Sequence, residues 1–287
     1  MTATGAATIV AVAPQTAPSA AAPPAPATKA GALTAELHLP QLGPGEKAPL
    51  LLMLHALGTS AEMIERLSEW PAFAEQNGLA WMAPNGPIDS QSRRFWDAGP
   101  SCCNFDGPAL DHVSALSELL ERTIAGAPID RERVYVGGYS NGAFMAHRLA
   151  CEKPELVRGV ISIAGAGPMD RSSCKQPASL KVLQVHGDSD PIVTYEGGHL
   201  FKDPKLPRHI SARQTAEDWA KALGCSSTTQ PLEPVDFEAS LSGPETKRER
   251  FRDCQRGGVE LWTVKDGGHY IGFRNPGPST IWEFFKG

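Results

Sequence analysis

The 287-residue chain contains no apolar run close to the roughly 18 residues that a membrane-spanning helix requires. It also contains no block of basic residues, and its formal net charge at pH 7 is −5. Nucleic acids and anionic membrane surfaces attract proteins that carry a basic patch, so neither is expected as a partner. We therefore expect a soluble protein that binds no nucleic acid and has no membrane span.

The cysteines lack the paired spacing of a zinc site. The six are Cys102, Cys103, Cys151, Cys174, Cys225 and Cys254. An even set of this kind favours disulfides and thus a secreted or periplasmic protein, although no signal peptide is visible. Cys225 follows a predicted helix and Cys254 precedes a predicted strand, so we expect these two to pair. Adjacent Cys102 and Cys103 are not expected to bond each other, and the pairing of the other four cysteines stays open.

The first 30 residues consist mostly of Ala, Pro, Thr and Gly, with one charge at Lys29. Such a segment cannot bury enough surface to offset the entropy of ordering, so residues 1–30 are predicted to form a disordered tail. Residues 31–287 are long enough to enclose a full core, and we predict that they form one domain.

A Gly-Tyr-Ser-Asn-Gly motif at 138–142 stands between a short β-branched run at 134–136 and a helix-forming segment. This is the Gly-x-Ser-x-Gly pattern of a nucleophile elbow, and the strand and helix around it favour an elbow over an ordinary turn. The glycines allow the chain to reverse sharply, since a Cβ on either side would collide with neighbouring backbone. Ser140 is then exposed at the tip, close to the first N–H groups of the helix.

Strands are predicted near 49–55, 79–83, 134–136, 157–164, 180–186 and 259–264, with a further alternating segment at 32–39. Helices are predicted near 60–77, 108–125, 211–223 and 279–285, and after the serine as far as Lys153. Alternating strands and helices imply a mostly parallel central sheet with helices on both faces. This is the plan of the α/β-hydrolase fold, in which the nucleophile, the acid and the histidine follow one another along the chain.

An acid and a histidine both follow predicted strands downstream of Ser140. Asp188 and Asp190 come after the strand at 180–186, and we favour Asp190 because Asp188 is suited to cap the turn. His269 follows the strand at 259–264, at the place where a strand-end loop would deliver a base to Ser140. His199 and His209 lie in a segment with Pro and Lys, which favours a solvated surface position.

Three motifs are similar to those of one known family: Gly-Tyr-Ser-Asn-Gly-Ala-Phe-Met-Ala at 138–146, His-Gly-Asp-Ser-Asp-Pro-Ile-Val at 186–193, and Gly-Gly-His at 267–269. Trp96 followed by the two adjacent cysteines, and Asp111 at the start of a helix, also fit that pattern. In these features the chain resembles the extracellular polyhydroxybutyrate depolymerase and feruloyl esterase group of α/β-hydrolases, which cleave carboxylic esters. The resemblance covers residues 55–285.

The resemblance implies that Ser140 is the nucleophile, Asp190 the orienting acid and His269 the general base. It also implies an oxyanion hole formed by the backbone N–H groups of Asn141 and Leu57. This chain reads His-Ala-Leu at 55–57, where the family usually has His-Gly.

Two further departures are Tyr270 after the histidine, in place of the usual Trp, and Asp111-His112 in place of paired aspartates. We interpret both as possible marks of altered substrate choice.

We therefore expect a secreted, monomeric serine esterase that forms an acyl-enzyme and needs no metal or organic cofactor. Its ester substrate could be a polyester such as polyhydroxybutyrate or a feruloyl-type ester, and the sequence does not choose between them. Trp96, Tyr139 and Tyr270 could line the substrate pocket, but packing in the core or at the rim is an equal alternative. His55 and His186 are interpreted as structural hydrogen-bonding groups near the site. The alternatives are a serine peptidase or amide hydrolase on the same fold, and a binding module without activity.

Overall fold

A computed structural model of the protein describes residues 28–105, 107–274 and 276–286. The strands in these ranges are β1 (Ala48–Leu54), β2 (Ala80–Met82), β3 (Ile129–Tyr139), β4 (Gly159–Ile163), β5 (Leu180–Gly187), β6 (Gly198–His199), β7 (Arg208–His209), β8 (Thr229–Val235), β9 (Thr246–Phe251) and β10 (Gly257–Val264). The α-helices are α1 (Ala61–Leu67), α2 (Trp70–Gln76), α3 (His112–Gly126), α4 (Asn141–Glu152), α5 (Ala212–Ala222) and α6 (Gly277–Lys286). None of the helices in the described ranges has the length and apolar character of a membrane span.

Eight of the strands form one sheet in the order β2-β1-β3-β4-β5-β10-β9-β8. The strands from β2 to β10 run parallel, and β9 and β8 complete one edge as antiparallel partners. A parallel sheet is covered on both faces, which explains why β1 is an almost unbroken buried run of apolar residues. The predicted α/β-hydrolase architecture is confirmed.

The two faces of the sheet support two separate clusters of buried side chains. Because side chains alternate along a strand, Leu50 and Leu52 of β1 join the cluster that contains α3, α4 and α5. Leu51 and Met53 of the same strand join the cluster that contains α1, α2 and α6. A layer of helices therefore covers each face of the sheet. The carboxyl ends of its parallel strands all lie on the same side.

The helix predicted at 60–77 is two helices, because Ser68 and Glu69 separate α1 from α2 and Pro71 lies in the first turn of α2. The segment predicted as a strand at 32–39 contains only an isolated bridge between His38 and Trp81.

The antiparallel edge strands β8 and β9 were not expected from the sequence. They carry no continuous apolar run, and β9 reads Thr-Lys-Arg-Glu-Arg-Phe.

Residues 1–27 of the predicted disordered tail lie outside the described residues. Its next residue, Thr28, pairs with the segment before α3: its N–H donates to the Ala109 carbonyl at 2.7 Å, and its carbonyl accepts from the Asp111 N–H at 2.9 Å.

The six cysteines form three disulfides. Cys225 is bonded to Cys254, which is the pair indicated by the sequence, and Cys151 is bonded to Cys174. The expectation that Cys102 and Cys103 would not bond each other is wrong. The peptide bond between them is cis and brings their Cα atoms to 3.1 Å, so that both side chains can meet.

The rings of His55, His112 and His147 are completely buried. Burial lowers the pKa of each from its ordinary value of 6.5 to about 4, because a charged imidazole loses its hydration in the protein interior. All three are therefore neutral in the folded protein at pH 7.

Replacing both cysteines of the Cys225–Cys254 bond with serine should lower the free energy of unfolding by about 3 to 4 kcal/mol in the chain-entropy model. The bond joins residues 29 positions apart and constrains the unfolded chain. Thermal and denaturant unfolding of the non-reduced protein measure the effect. The double serine variant of Cys151 and Cys174, which are 23 positions apart, is the matched comparison and should show a similar loss. Free thiols at these positions in the untreated protein would contradict the pairing.

Acid should destabilise the fold through His55, His112 and His147. Their pKa is about 4 when folded and 6.5 ordinarily, so the unfolded chain binds more protons within this window. This contribution is complete above pH 6.5 and is lost as the pH falls toward 4. At most, the free energy of unfolding should change by about 4 kcal/mol per pH unit.

Denaturant unfolding at a series of pH values measures this slope. His112→Asn removes one of the three groups and should reduce the slope by about one third. A free energy of unfolding that stays constant across the window would refute the prediction.

Candidate active site

Three side chains meet where neighbouring parallel strands end. Ser140 lies between β3 and α4, Asp190 follows β5, and His269 follows β10. His269 Nε2 is 2.9 Å from Ser140 Oγ, and His269 Nδ1 is 2.7 Å from Asp190 Oδ2. Because a carboxylate accepts only, Nδ1 carries the proton and Nε2 is free to accept the serine proton. Ser140 and His269 are 129 positions apart in the sequence, yet their side chains are hydrogen-bonded to each other in one row with Asp190.

The backbone at Ser140 has φ of 51° and ψ of −117°, a conformation that non-glycine residues rarely adopt. A Cβ on Gly138 would overlap the backbone of Gly142, and a Cβ on Gly142 would overlap the carbonyl of Leu54 at the end of β1. Both positions therefore require glycine. The Ser140 N–H donates to the Ile163 carbonyl at 2.8 Å, which ties the tip of the turn to β4.

Asp190 is 3% exposed and is surrounded by donors. Its Oδ1 accepts from the N–H groups of Ile192 at 2.8 Å and Val193 at 2.9 Å. Its Oδ2 faces His269, and His186 Nε2 lies 3.3 Å from the same oxygen. Burial by itself would raise the pKa of Asp190, but the hydrogen bonds with His186 and His269 outweigh it and hold the pKa well below its ordinary value. The carboxylate is consequently ionised.

The other acid and histidine candidates lie elsewhere. Asp188 Oδ1 accepts from the Asp266 N–H at 2.7 Å and so links the loops after β5 and β10. His199 Nδ1 donates to the Leu206 carbonyl, and His209 Nδ1 donates to the Ile210 carbonyl. Both histidines belong to the β6–β7 ribbon. His209 is buried and not solvated as the sequence suggested, because its ring packs edge-on against Phe144.

The side chain of Asn141 anchors a loop, a contribution that the sequence did not predict. Its Oδ1 accepts from the Trp96 N–H at 2.7 Å, and its Nδ2 donates to the Trp96 carbonyl at 2.8 Å. Nδ2 also lies 3.5 Å from Cys102 Sγ. The first residue of α4 therefore holds the segment with the adjacent cysteines against the elbow.

The loop after β1 is held by the carbonyl of Ala56. This oxygen accepts from His55 Nδ1 at 2.8 Å, from Thr59 Oγ1 at 2.9 Å and from the Thr59 N–H at 3.1 Å. The Gly86 N–H donates to His55 Nε2, so the histidine is a neutral hydrogen-bonding group as expected. These contacts fix the peptide between Ala56 and Leu57 and with it the direction of the Leu57 N–H.

A cavity of about 520 Å³ opens beside Ser140 and His269. Its wall is mainly apolar, and its lining residues include Met63, Ile64, Glu69, Tyr139, Ile163, Tyr270, Ile271 and Phe273. Tyr270 is 83% exposed at the mouth. Trp96 is completely buried in the core and is not among the residues that line this cavity, so the structure agrees with core packing, one of the two roles that the sequence left open for it.

The cavity wall after His269 is held by the segment between β8 and β9. The Ala239 N–H donates to the Gly272 carbonyl at 2.8 Å, and the Arg274 N–H donates to the Phe237 carbonyl at 2.7 Å. Glu238, which is buried, accepts from the Gly272 N–H at 3.3 Å. The only sequence feature that hints at this support is Glu238, an acidic residue directly after the apolar Phe237.

Comparisons with known proteins find similarity to esterases. A family model described as Phospholipase/Carboxylesterase matches residues 109–218. A protein named as esterase NocK, from Nocardia uniformis subsp. tsuyamanensis, is 31% identical over 251 residues that cover 84% of this chain and 70% of that protein. Feruloyl esterase B from Piromyces equi is 27% identical over 258 residues, and the match covers 84% of this chain. It covers 42% of that enzyme, so this chain spans less than half of its length.

The solved structure of an acetyl xylan esterase from Aspergillus awamori is similar with a TM-score of 0.60, and the match covers 88% of this chain and 94% of the other. At 16% identity this likeness concerns the fold. The first relative shares enough identity and length to establish the family that the motifs indicated. The chain therefore belongs to the polyhydroxybutyrate depolymerase and feruloyl esterase family of α/β-hydrolases, and it is a carboxylic ester hydrolase.

Proposed function

We propose that the protein hydrolyses esters through a triad of Ser140, His269 and Asp190. The observation that carries the proposal is the row of two hydrogen bonds, at 2.9 Å and 2.7 Å, that joins the three side chains. As Ser140 Oγ bonds to the ester carbonyl carbon, its proton passes to His269 Nε2 and the carbonyl electron pair moves to oxygen. Asp190 holds the imidazole in position and stabilises the imidazolium.

The reaction then proceeds through an acyl-enzyme. Collapse of the tetrahedral intermediate breaks the bond to the alcohol oxygen, which takes the proton from His269 and leaves. Water repeats the sequence with His269 as base, and the carboxylic acid is released as Ser140 regains its proton. The backbone N–H groups of Asn141 and Leu57 are the proposed oxyanion donors, since one begins α4 and the other belongs to the fixed loop after β1.

The cavity favours an acyl group with an aromatic ring. Its apolar lining includes Ile64, Ile163 and Phe273, which suit a flat ring. Tyr139 lines the cavity and accepts a hydrogen bond from Trp70 Nε1 at 3.0 Å, and because that nitrogen donates only, the Tyr139 hydroxyl hydrogen is not used in this bond. It could donate to the phenolic or methoxy oxygen of a feruloyl group. We infer that feruloyl-type esters are the preferred substrates.

A polyester such as polyhydroxybutyrate is the second candidate. The exposed side chains at the mouth of the cavity support it, since Tyr270 is 83% and Met63 is 44% exposed and both could contact a longer chain.

The three disulfides support export to an oxidising compartment, either outside the cell or in the periplasm. We propose that residues 31–287 act as one catalytic domain and that the protein acts as a monomer.

Ser140→Ala should abolish ester hydrolysis, with a loss of at least about a thousandfold in kcat, because no other group can form the acyl-enzyme. The melting temperature should change little, since Ser140 Oγ bonds only to His269 among the described contacts. Hydrolysis of a p-nitrophenyl ester and labelling by a fluorophosphonate probe measure the effect. Substantial activity in a purified, folded Ser140→Ala variant would exclude this nucleophile.

Asp190→Asn and Asp188→Asn form a matched pair from one loop. We expect Asp190→Asn to lose far more activity, because the amide cannot hold the imidazole tautomer as the carboxylate does. Asp188 contacts the loop backbone and does not touch His269 in the described structure. If Asp188→Asn were the more damaging change, the acid would be misassigned.

Tyr139→Phe should reduce kcat/KM for a feruloyl ester about fivefold relative to the unsubstituted cinnamoyl ester, as expected for one neutral hydrogen bond. The ratio of the two substrates cancels general effects on folding. Tyr135→Phe on the same strand is the control, because Tyr135 packs against Trp282 in the core. A panel that also contains a hydroxybutyrate oligomer and an amide analogue tests the alternatives. An unchanged feruloyl-to-cinnamoyl ratio, or faster cleavage of the oligomer or the amide, would overturn the inference.

A further inference from the structure

A row of buried polar side chains lies beneath the site, on the face of the sheet that α4 and α5 cover. Its centre is Gln184, which is completely buried in β5 between Leu183 and Val185. A polar residue inside a buried strand requires hydrogen-bond partners, since an unsatisfied amide there would be costly. Gln184 finds them on both sides, in His147 of α4 and His186 of its own strand.

The donor and the acceptor of every hydrogen bond in this row follow from the groups at its two ends. Trp219 Nε1 is 3.0 Å from His147 Nδ1, and because an indole nitrogen only donates, Nδ1 must be the acceptor. His147 Nε2 therefore carries the proton and donates to Gln184 Oε1 at 3.0 Å. The Gln184 amide nitrogen donates to the Gly165 carbonyl at 2.8 Å and faces His186 Nδ1 at 3.2 Å.

The Gly165 carbonyl gives an independent check on this assignment. A carbonyl oxygen only accepts, so the group of Gln184 that faces it must be the NH₂ and not the oxygen. Both ends of the row thus require the same orientation of the amide. His186 Nδ1 must accept from Gln184, and the proton of neutral His186 is left on Nε2.

His186 Nε2 points at the loop that carries the acid. It is 2.7 Å from the Val193 carbonyl and 3.3 Å from Asp190 Oδ2, so one N–H is shared between two acceptors. The opposite tautomer would turn a lone pair toward the same two oxygens and would repel both. The state of His186 therefore affects how Asp190 is held.

We propose that the row from Trp219 through His147 and Gln184 fixes the Nε2–H tautomer of His186, and that His186 is a positioning residue for Asp190. His186 does not touch Ser140 or His269 in the described contacts, and it acts through the carboxylate. The positioning role rests on the proposed triad, whereas the tautomer does not. Burial lowers the pKa of His147 to about 4, which agrees with a neutral His147 in the row.

The first experiment determines the tautomers directly by ¹⁵N NMR of the histidine rings at neutral pH. We expect His147 and His186 both to be neutral and to carry the proton on Nε2. A proton on Nδ1 of either ring, or a charged His186, would contradict the proposed row of hydrogen bonds. This measurement does not depend on activity, so it decides the tautomers even if Ser140→Ala were to show that the proposed triad is wrong.

The second experiment compares His186→Leu with His186→Gln. Loss of the N–H in the leucine variant should lower kcat about ten- to hundredfold, as for removal of a hydrogen bond to a charged group, with KM nearly unchanged. Glutamine can place an NH₂ near the position of Nε2 and should restore part of kcat. A folded leucine variant with wild-type kcat, or a glutamine variant as impaired as the leucine variant, would refute the positioning role.

Gln184→Met tests the same idea without altering His186, in case its variants do not fold. It removes the donor to Nδ1 and should allow a proton to appear on Nδ1 in a fraction of the molecules, while the Val193 and Asp190 oxygens still favour Nε2–H, together with a smaller loss of kcat. Thr215→Val is the matched control, because Thr215 is completely buried and accepts a hydrogen bond from the Gly167 N–H at 3.0 Å outside the row. It should lower the melting temperature and leave kcat and the tautomers unchanged. A Gln184→Met variant that behaves as Thr215→Val does would contradict the proposal.

Discussion

The close approach of the serine turn to the end of β1 is the constraint on which the rest of the site depends. Gly142 lies against the Leu54 carbonyl so closely that no side chain fits, and this contact sets the start of α4. The position of α4 then determines where Asn141 holds the Trp96 segment and where His147 meets Gln184. Ser140 is held in an unfavourable backbone conformation because its neighbours are fixed on both sides.

The acid depends on a second constraint, which is the supply of hydrogen-bond donors to a buried charge. A carboxylate removed from water would take up a proton unless donors replaced its hydration. Two backbone N–H groups and two histidines surround Asp190, and they hold its pKa below the ordinary value despite burial. The loop geometry and the negative charge of Asp190 therefore stabilise each other, because the loop supplies N–H groups and the carboxylate accepts hydrogen bonds from them.

Parts of the cavity wall lie in segments that do not carry Ser140, Asp190 or His269. One wall comes from α1 and the residues before α2, and another from the loop after His269. That loop is held by residues 237–241 between two antiparallel edge strands. A change in these segments would alter the shape of the cavity, while the strand ends would still hold the three side chains of the proposed triad, and one fold can serve different substrates in this way.

The sequence by itself determined the parallel sheet and the order of the three candidate residues. These follow from local signals, namely buried apolar strands, a Gly-x-Ser-x-Gly turn between strand and helix, and polar residues directly after strands. The cysteine positions also indicated the Cys225–Cys254 bond. Such features depend on neighbouring residues or on the rule that parallel strands end at one edge, so the sequence alone is enough to predict them.

Only the tertiary structure decided the contacts between distant segments. The burial of Trp96, the second role of Asn141, the place of His186 beside Asp190 and the edge strands β8 and β9 have no local signature. Gln184 could be recognised as a polar residue in an apolar run, but its partners on α4 and α5 could not. The bond between Cys102 and Cys103 depends on a backbone conformation that composition does not reveal. For the contacts between distant segments, the physical reason is that the interaction joins atoms whose distance is set by packing and not by sequence spacing.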